Sequence, residues 1–208
     1  MSDLQVQEHP WQASRRSCPA MTNSGHRFST CGELVTLTPE PRANTLRRVF
    51  GWQPLPQLKS SRASLAYHEA GHVVFLEWLG IDPQGAEIGA QGGLTHLPQR
   101  NAETPQSTPD LDGINTAVGA GVFHAGLVAE MLFQGHKPPT GPVRYTASDF
   151  DRAEAMLSDC FGARGSGPHY FAQRFAWHVL SHRWERVGQV AQHLVKYGWF
   201  GRPPTLGV

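Results

Sequence analysis

Five consecutive residues, His68-Glu69-Ala70-Gly71-His72, carry the clearest chemical pattern in the sequence. Side chains four positions apart lie on one face of an α-helix, so both imidazoles can bind the same Zn²⁺ ion. Glu69 projects at a different angle, which places its carboxylate beside a water on the metal. The ion lowers the pKa of that water towards about 7, and Glu69 can act as general base. The alternative is a core helix whose histidines bond to backbone carbonyls.

A catalytic zinc site also needs a third protein ligand and one open position. Trp78 stands where the extended metzincin pattern has its third histidine, so that class of peptidase is excluded. Asp149, at the start of a predicted helix, and Glu130, on a predicted buried helix, are the best carboxylate candidates. Glu87 and Glu103 are weaker because they fall on a strand and a loop. Spacing alone does not choose between Asp149 and Glu130.

Apolar periodicity from residue 60 onward predicts the helices that must position these side chains. Ser61 is a suitable N-cap for a first helix that ends at Gly80. A second helix over 109–133 is rich in glycine and alanine, which lowers helix propensity and implies close packing in the core. Three more helices are predicted: one behind a capping box formed by Ser148 and Asp151, one over 168–180 and one over 182–196.

Two short strands, at 86–88 and 93–97, flank a glycine-rich turn. The fold class is therefore mainly α: a compact helical domain with a small two- or three-stranded β element beside the cleft. The second strand, with Gly93, Leu94, Thr95 and His96, would bind an extended substrate by edge addition. Glycine would let the substrate backbone approach closely. His96 would face either the cleft or the solvent.

Composition divides the chain into three parts. Residues 1–58 are rich in Pro, Ser, Gln and Arg, which predicts a flexible or loosely docked basic extension with one short strand at 33–38. Residues 59–200 form the predicted domain, and residues 201–208 a C-terminal tail. The extension offers an alternative anionic or nucleic-acid contact, but no aromatic residues alternate with its basic side chains for stacking. Those side chains are Arg15, Arg16, Arg47 and Arg48.

Charge and cysteine content exclude several classes of protein. The 208 residues include 18 Lys plus Arg and 17 Asp plus Glu, so the chain is not a uniformly basic nucleic-acid coat. No secretory leader is visible, and the uncharged run at 113–129 is too short and polar for a membrane span. The 3 cysteines form no C-x-x-C pair. We therefore expect a cytoplasmic protein with neither a membrane nor a nucleic acid as its partner.

Four segments carry a family resemblance: Ala66-Tyr-His-Glu-Ala-Gly-His72, Gly92-Gly-Leu-Thr-His-Leu-Pro98, Ala125-Gly-Leu-Val-Ala-Glu-Met-Leu-Phe-Gln-Gly135 and Ser148-Asp-Phe-Asp-Arg-Ala153. In this order they resemble the peptidase domain of the FtsH-type ATP-dependent zinc metalloproteases, over residues 60 to 197. The resemblance implies that one Zn²⁺ per chain is bound by His68, His72 and Asp149. It also implies that Glu69 is the base and that Glu130 orients a ligand.

Departures from the family pattern limit what the resemblance implies. Ser148 replaces an asparagine, and Leu127 and Met131 replace an arginine and a glutamate of the family's central helix. No G-x-x-x-x-G-K-[ST] loop is present, so ATP-driven unfolding is not expected of this chain. We expect a zinc endopeptidase that cleaves short or unfolded polypeptides without ATP. A separate ATPase and a homo-oligomer are partners compatible with the resemblance.

Two other functions compete with the peptidase interpretation. One is a catalytically weak or inactive zinc-binding regulatory or interaction protein that uses the same cleft. The other is an accessory protein that binds anions or nucleic acid through residues 1–58. Glu69 argues against the first, because a purely structural zinc site has no use for a base.

Overall fold

The computed structural model describes residues 45–46, 48–90, 92–96, 109–162 and 166–201, with backbone only for 109–112. Helices form 62% of this part of the chain, so the mainly α class is confirmed. The predicted strand at 33–38 and the side chains of Arg15, Arg16, Arg47 and Glu103 lie outside the described residues.

Five helices in the described part build the core: α1 (Arg62–Trp78), α2 (Pro109–Phe133), α3 (Ser148–Phe161), α4 (Ser166–His182) and α5 (Trp184–Tyr197). α2 lies at the centre and packs against α1, α3 and α4, while α5 packs against α1. Their fully buried apolar side chains include Phe75, Leu157, Phe175 and Leu194. This arrangement places α1, which carries His68 and His72, between the central helix and a small β-sheet.

α1 begins and ends where the sequence predicts. The Oγ atom of Ser61 accepts a hydrogen bond from the backbone N–H of Ser64 at 2.9 Å, which caps the helix. The chain leaves the helix at Gly80, whose φ of 73° favours glycine. At Gly71 the helix lies so close to α2 that an added Cβ would meet the carbonyl oxygen of Ala125. Glycine at this position therefore sets the separation of α1 and α2.

α2 is the buried central helix that its small residues predict. Residues Gly113–Phe133 extend beyond the uncharged run at 113–129 and are long and apolar enough to cross a membrane, by length and composition alone. However, 67% of the most apolar 18-residue stretch of this helix is buried inside the protein, which is typical of a core helix. The cytoplasmic location stays a prediction.

α3 begins one residue earlier than predicted. The capping box at Ser148 and Asp151 is wrong, because the N-cap is Ala147, with φ −163° and ψ 157°. Ala147 has no side chain that can accept a hydrogen bond from the first turn. Asp149 and Asp151 lie in that first turn, where the helix dipole favours carboxylates. The start of α3 is thus stabilised by charge and packing instead of by a capping side chain.

A three-stranded antiparallel sheet covers one side of α1. Strands β2 (Gly85–Gly89), β3 (Gly92–His96) and β5 (Trp199–Gly201) lie in the order β3-β2-β5, and Glu87 is opposite Leu94. Both β2 and β3 contact α1. The predicted β element is therefore present, and β3 is its edge strand in the described part of the chain. β5 was not predicted, because three residues are too few to show a period.

Residues 48–58 of the predicted extension, together with Lys59, contact the helices. Strand β1 (Gln53–Pro54) pairs in parallel with β4 (Val143–Arg144), a pairing that the sequence did not predict. The backbone N–H of Phe50 donates to Ser166 Oγ at 2.9 Å. Whether the rest of the extension is flexible stays a prediction, because residues 1–44 lie outside the described part. We refer to residues 48–59 as the strap.

Candidate metal centre

Two helices bring three predicted ligands together. α1 presents His68 and His72 one turn apart, and the first turn of α3 presents Asp149. The Oδ2 atom of Asp149 lies 3.2 Å from His68 Nε2 and 3.3 Å from His72 Nε2. One ligand atom from each residue lies within 4.8 Å of the other two, a grouping that could hold a metal ion. Spacing did not decide whether Asp149 or Glu130 is the third ligand, and in the structure Asp149 is the carboxylate beside the two Nε2 atoms.

Hydrogen bonds at the other ring nitrogens orient both imidazoles. His68 Nδ1 lies 2.6 Å from Glu130 Oε1, and His72 Nδ1 lies 2.7 Å from the backbone carbonyl oxygen of Val122. A carboxylate and a carbonyl accept, so both Nδ1 atoms donate. Both Nε2 atoms are then directed at Asp149. Metal-binding histidines are held in this way, with one nitrogen on the metal and the other on an acceptor.

Gly126 of α2 leaves space beside the two Nε2 atoms. A Cβ added at Gly126 would meet the Nε2 atoms of both His68 and His72. Any other residue would therefore collide with both Nε2 atoms, which are the atoms that would bind a metal ion. Gly126 belongs to one of the segments with family resemblance and was expected only to imply close packing, because its place beside the imidazoles depends on how α1 and α2 pack.

Glu130 is held by side chains that the sequence analysis missed. Ser64 Oγ donates to Glu130 Oε2 at 2.8 Å and accepts from Gln134 Nε2 at 3.1 Å. Gln134 Oε1 in turn accepts the backbone N–H of Lys59 at 2.7 Å. The strap is thereby connected to His68 through Gln134, Ser64 and Glu130. The spacing of these residues could have indicated them in the sequence. Ser64 lies one helical turn before His68, and Gln134 lies one turn after Glu130.

The electrostatic field of the site favours a cation. Burial lowers the pKa of His68, but hydrogen bonds to Asp149 and Glu130 and the charge of Glu69 outweigh it and raise that pKa to about 10. Burial alone would raise the pKa of Asp149, but its hydrogen bonds with His68 and His72 hold it well below its usual range. Three carboxylates thus surround two imidazoles, and a divalent cation at the Nε2 atoms would take the place of a proton.

Glu69 lies against strand β3 and is not one of the three grouped ligands. Its side chain is buried, and Oε2 accepts a hydrogen bond from Thr95 Oγ1 at 2.7 Å. A Cβ added at Gly93 would meet the Glu69 carboxylate, so glycine makes room for it. Glu69 therefore lies between α1 and the edge strand, next to the metal ligands without being one of them.

The four predicted substrate-binding residues divide between the two faces of β3. Side chains alternate along a strand, so Thr95 faces Glu69 while Leu94 and His96 face away. Leu94 is 47% exposed, and His96 Nε2 lies 3.4 Å from Glu87 Oε1. The structure brings Gly93 and Thr95 to the site, and it does not bring Leu94 or His96 there.

The two apolar residues that depart from the family pattern lie in a small separate core. Leu127 and Met131 are buried, and they pack with Val143, Tyr145 and Phe150. Phe150 directly follows Asp149 in the chain. This small core therefore includes the residue next to the third ligand.

Comparisons of the chain with protein-family models, with curated proteins and with solved structures find no match. The resemblance to FtsH-type peptidases thus depends on the four sequence segments, and the interpretation of the site depends on its own geometry.

Proposed function

We propose that this protein is a zinc-dependent endopeptidase that cleaves short or unfolded polypeptides without ATP. His68, His72 and Asp149 hold the metal, and Glu69 is the general base. One observation carries the proposal: both imidazoles donate from Nδ1, and both direct Nε2 at one carboxylate, beside a glycine whose Cβ would fill that space. A core helix with satisfied histidines would not need this convergence.

The donor set favours zinc. Two imidazole nitrogens and one carboxylate oxygen form the ligand set of several catalytic zinc sites, and three protein ligands leave the fourth position open. When bound, Zn²⁺ acidifies water and polarises a carbonyl group.

The side chains around the ligands would handle the proton and the substrate. Glu69 accepts the proton of the attacking water and later donates it to the leaving amine. Thr95 holds the Glu69 carboxylate in position through its 2.7 Å hydrogen bond. Glu130 keeps the Nδ1 proton on His68 and so leaves Nε2 free for the metal.

An extended polypeptide is the substrate class that the site favours. β3 lies at the edge of its sheet, beside Glu69, and a peptide that pairs with this edge forms main-chain hydrogen bonds that tolerate many sequences. The chain has no phosphate-binding loop of the P-loop type, so substrates would need to be unfolded beforehand. A separate ATPase and further copies of this chain stay predictions from the resemblance.

A second candidate function is a zinc-binding regulatory or interaction protein with weak or no catalysis. The burial of Glu69 favours it: the residue is only 4% exposed and its carboxylate already bonds Thr95, so water must compete for that carboxylate. The same cleft would then bind a partner peptide without cleaving it.

Glu69→Gln separates the two functions. For the enzyme, we expect the variant to keep its zinc, measured by elemental analysis, and to cleave an unfolded casein-type substrate about 10²–10⁴-fold more slowly. Asp149→Ala should lose both zinc and cleavage. Glu87→Gln, at a partly exposed position of β2 whose side chain contacts His96 on the face away from Glu69, is the matched control and should behave as wild type.

Three results would decide against the peptidase. Wild-type protein without stoichiometric zinc contradicts the metal centre. Zinc-loaded wild type without chelator-sensitive cleavage favours the regulatory protein. Undiminished cleavage by Glu69→Gln contradicts the role of Glu69 as the base.

A further inference from the structure

Four polar side chains form a continuous hydrogen-bonded chain next to the candidate metal centre. Tyr145 Oη lies 3.0 Å from His124 Nδ1, His124 Nε2 lies 3.0 Å from His169 Nδ1, and His169 Nε2 lies 2.5 Å from Glu154 Oε2. Both histidines are fully buried, whereas the Glu154 side chain is 40% exposed. We call these four residues the histidine chain. Neither the family resemblance nor the proposed mechanism uses it.

The direction of every hydrogen bond in the histidine chain follows from its surface end. The Glu154 carboxylate accepts, so His169 donates from Nε2 and accepts at Nδ1. His124 therefore donates from Nε2, and its Nδ1 accepts the hydroxyl proton of Tyr145. All four ring nitrogens are satisfied while both imidazoles are neutral, which is what burial of two polar rings requires.

The rings of the histidine chain enclose Phe150. The Phe150 ring stacks on His169 with centroids 4.8 Å apart and an interplanar angle of 10°. Tyr145 and His124 make edge contacts with it at 5.1 and 6.1 Å, and Trp52 of the strap closes the fourth side at 5.8 Å. Phe150 is therefore held by aromatic rings from several elements.

The position of Asp149 depends on this enclosure. Phe150 is its immediate neighbour in the first turn of α3, and the N-cap Ala147 makes no side-chain hydrogen bond to that turn. Without a capping side chain, the turn depends on its two carboxylates and on the packing of the Phe150 ring. A shift of Phe150 would move the Asp149 carboxylate away from the two Nε2 atoms.

We propose that the histidine chain is a positioning device for the third metal ligand: it holds Phe150 in place and so keeps Asp149 at His68 and His72. His124 and His169 are positioning residues in this proposal, and they bind no metal themselves. Their ring nitrogens bond to one another and to Tyr145 and Glu154 in a line instead of converging on one point. The inference rests on the proposed metal centre.

His169→Phe is the main test. The variant keeps an aromatic ring against Phe150 but removes both hydrogen bonds of His169. We expect its Kd for Zn²⁺, from competition with a chromophoric chelator, to rise about 10–100-fold, as for loss of other groups that orient metal ligands. We also expect the visible absorption of the Co²⁺-loaded protein to change, because the coordination geometry is disturbed. His169→Gln can still donate and accept but lacks the ring that stacks on Phe150, so it should recover part of the affinity.

A control and a milder variant keep the test independent of stability. His193→Phe replaces a half-buried histidine that contacts Tyr197, Trp199 and Phe200 on α5 and β5. It should leave the Zn²⁺ Kd and the Co²⁺ spectrum unchanged. Glu154→Gln alters only the half-exposed end of the chain and should raise the Kd at least about threefold even if His169→Phe does not fold.

The outcomes separate this inference from the proposed function. If wild type binds Zn²⁺ and Asp149→Ala does not, the proposed metal centre is supported. The positioning role alone is then overturned if folded His169→Phe has wild-type affinity for Zn²⁺ and an unchanged Co²⁺ spectrum. If His169→Phe does not fold, the same result in Glu154→Gln overturns it. Failure of wild type to bind Zn²⁺ overturns both.

Discussion

The two histidines of α1 differ in what holds their Nδ1 atoms. His72 donates to the backbone carbonyl of Val122, an acceptor that no side-chain substitution removes. His68 donates to Glu130, whose carboxylate is itself held by Ser64. The orientation of His68 therefore depends on replaceable side chains, and it is the more sensitive of the two ligands.

Ser64→Ala tests this dependence. Ser64 is buried, and its loss removes the hydrogen bond that Glu130 Oε2 receives and the acceptor that Gln134 uses. We expect the Kd for Zn²⁺ in a competition titration to rise about tenfold. The N-cap side chain of Ser61 stays in place, so helix content should not change. The exposed Ser181 serves as the control through Ser181→Ala, and an unchanged Kd for Ser64→Ala would contradict the dependence.

At the scale of elements, the candidate metal centre forms where small residues let α1 and α2 pack closely. A Cβ at Gly71 would meet Ala125 and would lie 2.7 Å from the Cβ of Ala129. Gly126, one residue further along α2, faces both imidazoles. Glycine in a helix interior costs up to about 1 kcal/mol relative to alanine. That cost is offset here by the close packing that lets two helices share one site.

Gly126→Ala should abolish metal binding without unfolding the protein. The added methyl group would occupy the position beside both Nε2 atoms, so we expect no stoichiometric zinc by elemental analysis. Gly119→Ala is a matched control in the same helix, because its Cβ would make only an ordinary contact with Met156 Sδ at 3.5 Å. The control should bind zinc as wild type and gain up to about 1 kcal/mol in free energy of unfolding. Wild-type zinc content in Gly126→Ala would refute the interpretation of Gly126.

Local sequence patterns predicted the helices and strands better than they predicted the contacts between them. The i, i+4 spacing of His68 and His72 is fixed by helix geometry, so these residues could be named from sequence. The choice of Asp149 over Glu130 as the carboxylate at the Nε2 atoms could not be made from spacing, because it depends on how α3 lies against α1. The strand pair β1–β4 and strand β5 consist of two or three residues each, too few to carry a period. The N-cap at Ala147 was missed because alanine gives no capping signal.

At the scale of the whole molecule, two polar systems meet at the start of α3, and the pKa values of their histidines shift in opposite directions although burial lowers all of them. Hydrogen bonds to carboxylates overcome burial and raise the pKa of His68 to about 10. Burial lowers the pKa of His124 well below its usual value, and burial also lowers the pKa of His169. The charged and titratable groups that influence these two buried rings are Tyr145, Glu154, Arg144, Asp149 and His72.

These shifts predict how stability depends on pH in the presence of a chelator. A histidine with a lowered pKa stays neutral in the folded protein, while the unfolded chain takes up a proton below about pH 6.5. The contribution of His124 and His169 is thus fully present above pH 6.5 and is lost as the pH falls. His68 has the opposite sign: its contribution is complete below about pH 6.5 and is lost as the pH rises towards 10. Maximal stability is therefore expected near pH 6.5 to 7.

Denaturant unfolding between pH 5 and 6.5 reports mainly on the histidine chain, because His68 contributes a smaller slope of opposite sign that vanishes towards pH 5, and Asp149 titrates at lower pH. The free energy of unfolding should fall by up to about 1.4 kcal/mol per pH unit for each buried histidine that stays neutral. The double variant His124→Phe, His169→Phe replaces both rings with apolar ones and should lose this slope even if its overall stability differs. A wild-type stability that is flat or rises as the pH falls from 6.5 to 5 would mean that the two buried imidazoles accept protons in the folded protein, and the hydrogen-bond directions assigned to the chain would then be wrong.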